Sequence, residues 1–220
     1  MSHEGRLPQT NFGGDSDFQP LLRCLHHLGS GFFYGDTKVK YTIKAKPTKY
    51  RGVLFRSRLE AKWAAFFDNL KWHWEYEPCE FNGWFPDFAI YGKTETIHVE
   101  VKPIVRFCQE TSDKIDASGC NSSVLLIGQT CPINRGQSFS NNTVQLGWLR
   151  EQYGPLTSDF QWDDAELGTW DDEIGYCNPE QGWNDPISGK YGKFYRTDIT
   201  NFIDECWGDA CNKTQWKKQQ

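Results

Sequence analysis

In the run Thr96-Ile97-His98-Val99-Glu100-Val101-Lys102 the apolar residues Ile97, Val99 and Val101 alternate with His98, Glu100 and Lys102. A period of two marks a strand with one face in a core. The expectation is that the other face presents a carboxylate and an ammonium two residues apart. Upstream, Trp84, Phe88 and Ile90 share one parity while Asp87 has the other, and a hairpin between the two strands would set Asp87 beside Glu100. Adjacent carboxylates repel unless one takes a proton or a cation joins them. A hard divalent cation such as magnesium joins them through one or two carboxylates and keeps positions for water and a phosphate oxygen. It acidifies that water and withdraws charge from the phosphate, while Lys102 can orient the nucleophile or steady the developing negative charge. Glu60 sits at the edge of an apolar helical stripe and can face the same place. Each residue also has a plainer role: Glu60 as a helix-capping partner, Asp87 as a strand-end residue, Glu100 and Lys102 as a solvated strand face.

The elements that must position these groups are readable from periodicity. Ser57 opens the clearest helix, running to Leu70 with Leu59, Trp63, Phe66, Phe67 and Leu70 on one stripe. Ser57 and Glu60 make the S-x-x-E pattern of a capping box. Lys71–Glu77 alternates Trp72, Trp74 and Tyr76 with polar residues and reads as a strand. Phe81–Tyr91 and Thr96–Pro103 read as two more, joined by a turn at 92–95. Ile104–Ser118 reads as a helix and Ser122–Gly128 as a buried strand. Before this block, Phe18–Leu28 has leucines at helical spacing and Lys38–Lys46 alternates as a strand ended by Pro47. After Cys131 the pattern degrades. Leu146–Leu149 is a candidate strand, Gly154–Gly192 offers few regular elements, and Asp198–Trp207 reads as a terminal helix.

The chain of 220 residues is 38% hydrophobic and 15% aromatic, which excludes a disordered class and a tandem array of domains. No run approaches the ~18 apolar residues of a membrane helix, and Met1–Phe18 lacks the apolar stretch of a secretory signal. The expected location is therefore a reducing cytoplasm, with the cysteines as free thiols. Cys24 with His26 and His27, or Cys206 with Cys211, is the alternative of a zinc site.

The net charge of −5 argues at first against a nucleic-acid partner. The average hides a polarity: Lys38–Lys62 carries nine basic residues against Glu60 alone, whereas Glu151–Gly189 has ten acidic residues and no Lys or Arg. Such asymmetry suits a basic surface meeting a polyanion and an acidic region turned elsewhere.

The blocks Tyr50-Arg51-Gly52-Val53-Leu54-Phe55-Arg56-Ser57-Arg58-Leu59-Glu60-Ala61-Lys62-Trp63-Ala64, Trp74-Glu75-Tyr76-Glu77-Pro78, Phe85-Pro86-Asp87-Phe88 and Val99-Glu100-Val101-Lys102-Pro103 together resemble the PD-(D/E)XK nuclease superfamily. The resemblance spans Lys49–Gly128 and is nearest to phage and mobile-element members with an FRSxLEAxWA helix, with transposon-end endonucleases as more distant relatives. It implies an α/β, restriction-endonuclease-like core of helix, three-stranded antiparallel meander, helix and strand over residues 37–150. An N-terminal arm (1–36) would precede it, and an irregular, acidic, Trp-rich extension (151–220) would follow. It further implies a metal-dependent deoxyribonuclease that cuts DNA internally to leave 5′-phosphate and 3′-hydroxyl ends. Asp87 and Glu100 would bind magnesium or manganese, aided by the Val101 carbonyl and by Glu60 as the extra acidic residue, and Lys102 would be the catalytic lysine. Lys49, Arg51, Arg56 and Arg58 are the expected DNA-backbone contacts. The Q-x-x-x-Y motif of the exonuclease branch is missing, since Asp113 stands four residues after Gln109. A non-catalytic nucleic-acid-binding module on the same fold is the second reading. A third gives residues 151–220 a protein partner or a DNA-mimicking role, and a homodimer is left open.

Overall fold

A serine ahead of an amphipathic run and a tight aromatic stop give this chain its best-defined helix. The computed structural model describes residues 44–133, 144–152, 159–170, 173–177, 184–191 and 199–215. Helix α1 spans Arg58–Asn69, with Ser57 Oγ accepting the Glu60 N–H at 3.1 Å as its N-cap. It ends without glycine. Trp72 N–H reaches back to Phe67 O and Lys71 N–H to Asp68 O, the paired bonds of a Schellman stop, while the Trp72 and Phe67 rings stack at 5.8 Å. Lys71 takes the left-handed position, φ 61°, that glycine usually fills. For a side-chain-bearing residue this costs roughly 1–2 kcal/mol, which the ring contact offsets.

The chain enters α1 through a hairpin of β1 (Thr48–Tyr50) and β2 (Val53–Phe55), closed by Arg51 and Gly52, both at positive φ as a two-residue turn requires. Lys44–Lys46 is irregular, so the expected strand there is replaced by one beginning after Pro47. The rest of that expectation, Lys38–Ile43, lies outside the described residues, as do the Phe18–Leu28 helix and the arm.

After α1 come β3 (Trp74–Tyr76), β4 (Phe88–Tyr91) and β5 (Thr96–Val101), a consecutive antiparallel meander. Helix α2 (Gln109–Ala117) then leads to β6 (Val124–Ile127), which lies parallel to β5. The expected order of helix, three strands, helix and strand is present. Both strand and helix expectations were too long: residues 81–87 are not strand, and α2 starts five residues later than Ile104. The Asn82-Gly83 turn interrupts the first, with both residues at positive φ and Phe81 bridging Trp84. Ile104 is held to the end of β6 by its carbonyl, which accepts the Gln129 N–H.

The larger correction concerns residues 151–220, whose described parts are regular. β7 (Val144–Gln152) continues across the boundary expected at residue 150, and β8 (Phe160–Trp170) and β9 (Glu173–Cys177) extend the same mixed sheet to seven strands in the order β3-β4-β5-β6-β7-β8-β9. The sheet curls: Trp72, just before β3, donates its indole N–H to Ile174 O on β9 at the other edge. A short hairpin of β10 (Asn184–Asp185) and β11 (Lys190–Tyr191) follows. Asp185 is fully buried there, accepting the N–H groups of Tyr176, Ile187 and Ser188. A Cβ on Gly175 would lie 2.1 Å from its carboxylate, so only glycine fits.

Helix α3 (Thr200–Lys213) packs on α1, with Trp207 4.8 Å from Trp63 and 5.6 Å from Phe66. Asn69 on α1 donates to Cys206 O and accepts from Lys213 Nζ. These contacts and the apolar residues Phe88, Val99, Leu125 and Leu149 form the main core on one sheet face. The opposite face carries smaller clusters around Trp84, Ile115 and Val124 and around Leu126 and Trp148. No described helix is long and apolar enough to cross a membrane. Cys79, Cys108, Cys120, Cys131, Cys206 and Cys211 are free thiols.

Candidate active site

The β4–β5 register decides what meets at the site. Phe88 pairs with Val99, so one step further along the ladder Asp87 stands opposite Glu100. Both carboxylates point to the face of Trp84 and α2, because Phe88 and Val99 point to the main core. Val101 then lies opposite Pro86, where the ladder has stopped, and its N–H is taken instead by Asp87 Oδ2 at 2.8 Å. A buried amide is thereby satisfied and Asp87 is fixed.

The face is not solvated, contrary to the plainer expectation for Glu100. Glu100 is 4% and Asp87 6% exposed. The Trp84 indole covers Glu100 and donates Nε1–H to its Oε2 at 2.9 Å. Lys102 Nζ forms an ion pair with the other oxygen, Oε1. Burial, then the neighbouring Glu100 charge, pushes the Asp87 carboxyl up to about 7, against the opposing pull of Lys102 and of the Val101 N–H. Burial works against the Lys102 ammonium, but Glu100 and Asp87 outweigh it and hold its proton more tightly than usual.

Glu60 arrives from α1 by a different route. It is buried, and its Oε2 accepts the Tyr76 hydroxyl at 2.5 Å and the Arg56 N–H at 3.2 Å. The side chain therefore does not close a capping box on Ser57; it pins β3 and the end of β2 to the helix start. Its charge still acts on Asp87 and Lys102. Among the described residues no three His, Cys, Asp or Glu side chains converge as a ready metal-ligand group. Asp87, Glu100 and Lys102 are thus brought together directly, and Glu60 stands one contact away through Arg56.

No protein-family model, curated protein or solved structure matches the chain. The geometry carries the functional argument.

The four basic residues expected on DNA have unequal surroundings. Lys49 is exposed on β1. Arg51 is bound to Asp68 at 2.8 Å. Arg58 is half-buried on the first turn of α1, with a buried Nε that has no hydrogen-bond partner among the described residues. Arg56 belongs to the site itself, with Nε 2.6 Å from Glu77 Oε1 and Nη2 3.2 Å from Asp87 Oδ1. Arg56, Tyr76, Glu77 and Trp84 are the neighbours that reasoning from the residues alone did not place here. For Trp84 a signal existed: Asn82-Gly83 is a hairpin-turn dipeptide, and a turn there breaks the strand parity that had assigned Trp84 to the Phe88 face.

Two buried, adjacent carboxylates are the donor type a hard divalent cation takes. The Asp87 carboxyl is raised first by burial and then by the Glu100 charge, while Lys102 acts on both carboxylates and Arg56 pairs with Asp87. Trp63, Trp72, Trp84, Trp148 and Trp207 are buried, and Trp74 and Trp162 are half-buried.

Proposed function

We propose that this chain is a magnesium-dependent endonuclease of the PD-(D/E)XK type, with a restriction-endonuclease-like core built on α1, the β3–β5 meander, α2 and β6. The observation that carries the reading is the placement of Asp87 opposite Glu100 at the end of a β-hairpin, both buried, with Lys102 ion-paired to Glu100.

Asp87 and Glu100, with the Val101 carbonyl, would hold the cation, which supplies an acidified water and charge withdrawal from the phosphate. Lys102 has its ammonium on Glu100 and an exposed side, so it can hydrogen-bond a nucleophilic water or a phosphate oxygen while remaining protonated. The Val101 N–H and the Trp84 indole keep the two carboxylates aimed, which spares the site reorganisation when charge develops. Glu60 adds negative charge from one contact away. Lys49 and Arg58 flank the hairpin and helix start and are suited to backbone contacts that position a duplex without reading it.

A second reading, a non-catalytic nucleic-acid-binding module, draws on the ion pairs Arg56–Asp87 and Lys102–Glu100, which compensate both carboxylates without any cation. Incubation of supercoiled plasmid with the purified protein, in magnesium and in EDTA, separates the two. The nuclease reading expects nicked and linear products only with magnesium, with 5′-phosphate ends that ligase accepts after annealing. Binding without cleavage across magnesium and manganese concentrations and DNA forms would establish the module reading.

A further inference from the structure

Arg56 connects three of the acidic groups around the site, Glu60, Glu77 and Asp87. Its backbone N–H is shared between Glu60 Oε2 at 3.2 Å and Tyr76 Oη at 3.1 Å, which fixes where the side chain starts. The guanidinium then spans two carboxylates unequally, holding Glu77 at 2.6 Å and Asp87 at 3.2 Å. The side chain remains 59% exposed, and a side-chain hydrogen bond with Tyr76 adds to its hold at the β3 end. Glu77 adopts φ 48° between β3 and Pro78, and its own N–H is bound to Asp87 O at 3.0 Å. The anchor of Arg56 and the end of β4 are therefore one rigid unit.

From this geometry we propose that Arg56 is a tethered arginine: it occupies Asp87 while no cation is bound, and, when a cation takes Asp87, it stays on Glu77 and turns its freed N–H groups to a phosphate of the DNA backbone. The inference rests on the nuclease reading above. The argument is one of charge and of unequal bonds. A cation held by Asp87 and Glu100 meets two positive side chains already there, Lys102 and Arg56. The weaker of the two arginine contacts, the one to Asp87, is the one that gives way. The short bond to Glu77 prevents the side chain from leaving the site, and the local excess of positive charge is then neutralised by a phosphate, which a planar guanidinium binds through paired N–H groups. Around the guanidinium the charged and titratable groups are Glu77 and Tyr76 from the β3 end and Asp87 from the β4 end, while Glu60 from α1 holds the Arg56 backbone N–H.

The test uses calcium alone, then calcium with a fluorescent duplex, on the full chain. Titration calorimetry without DNA is predicted to show Arg56→Gln binding calcium about fivefold more tightly than the unmodified protein, the worth of one partly exposed ion pair. Glu77→Gln should move the other way, because an arginine released from Glu77 closes more firmly on Asp87. In calcium, Arg56→Gln should bind the duplex more weakly, with the slope of log affinity against log salt reduced by about 0.9. Calcium affinity that is unchanged or lower in Arg56→Gln overturns the proposal. The opposite sign in Glu77→Gln decides the matter independently, should Arg56→Gln fail to fold. An unmodified protein that binds no calcium and cuts no plasmid would remove the nuclease reading itself. One that does both, with the two variants indistinguishable from it in calcium affinity, would remove the arginine proposal alone.

Discussion

Asp87→Asn should stabilise the cation-free protein at alkaline pH, and only there. The Asp87 carboxyl is raised from 3.8 to about 7, first by burial and then by Glu100. Its folded-state affinity for a proton thus exceeds that of the unfolded chain. Between about pH 4 and pH 7 the folded state binds more protons, so stability falls as pH rises through this window, and the cost is complete above it. At roughly 1.4 kcal/mol per unit the full shift corresponds to about 4 kcal/mol. Asparagine keeps an oxygen for the Val101 N–H but presents N–H groups where the protonated acid could accept, so about half of that, ~2 kcal/mol, is the expected gain. For a chain of this size ~2 kcal/mol raises the melting temperature by about 4–8 °C. The assay is thermal unfolding in EDTA from pH 4.5 to 8.5, reported as the difference between variant and unmodified protein, in which pH effects common to both cancel. The difference should favour the unmodified protein by ~2 kcal/mol at the acid end, where the cost of the amide N–H groups acts alone, then change sign and favour the variant by ~2 kcal/mol by pH 8. Magnesium should then reverse the order at pH 8, stabilising the unmodified protein and leaving the variant unmoved. A difference that is flat across the range, or negative at pH 8, would refute the electrostatic account of the site.

Asp87→Ala and Glu100→Ala should each lower magnesium-dependent plasmid cleavage by roughly 100-fold or more with the fold retained by circular dichroism. Glu60→Gln, whose amide oxygen can still accept from Tyr76 and Arg56, should melt near the unmodified protein and lose no more than about tenfold, since one uncoordinated charge is worth about 1 kcal/mol. Trp84→Phe removes the indole donor from a buried carboxylate and should cost about 1–3 kcal/mol by urea unfolding; an unchanged midpoint would mean that the bond to Glu100 is not made in solution. On a calcium-bound duplex, Lys49→Gln should reduce the salt slope by about 0.9 and weaken all sequences alike, whereas Arg51→Gln should have the smaller effect because Arg51 is already held by Asp68. Equal slopes for Lys49→Gln and the unmodified protein, by fluorescence anisotropy, would take β1 out of the DNA surface.

The site was legible because it depends on short-range regularities. Strand parity places Asp87 and Glu100 on one face, and a tight β4–β5 connection leaves little freedom in register, so the pair follows from the residues between Phe88 and Val99. The start of α1 was legible for the same local reason, Ser57 capping Glu60 N–H. What parity cannot convey is burial of the polar face. Glu100 and His98 alternate with apolar residues as a half-exposed strand would, yet both are covered, because Phe81 and Trp84 fold back over them through the Asn82-Gly83 turn. Nor could it place Arg56, whose two partners come from the ends of β3 and β4 and meet it only in the tertiary structure.

The C-terminal strands were hidden for a different reason, and that reason bears on how the site is held. Phe160–Trp170 contains Asp163, Asp164 and Glu166, residue types depleted in strands, and Gly168 weakens the alternation further. Its extended form comes from pairing with β7 along nearly its whole length, from Val144↔Leu167 to Gln152↔Phe160. Acidic side chains are tolerated there when they find partners, as Asp164 does in Gln145 at 2.8 Å. The same dependence runs in the other direction. β9 accepts the Trp72 indole N–H through Ile174 O, and Trp72 is the residue that stops α1 and starts the approach to β3. α3 covers Trp63 and Phe66 on the α1 face that anchors Glu60's helix. Three buried aromatic side chains at roughly 1.5–3 kcal/mol each depend on these contacts, a sum comparable with the whole stability of a typical domain. A chain ended at residue 150 should therefore fail to give a cooperative melt, even though it keeps Glu60, Asp87, Glu100 and Lys102. A truncated protein that unfolds in one transition within a few degrees of the full chain would show that the strands carrying Asp87 and Glu100 stand without the last third of the sequence.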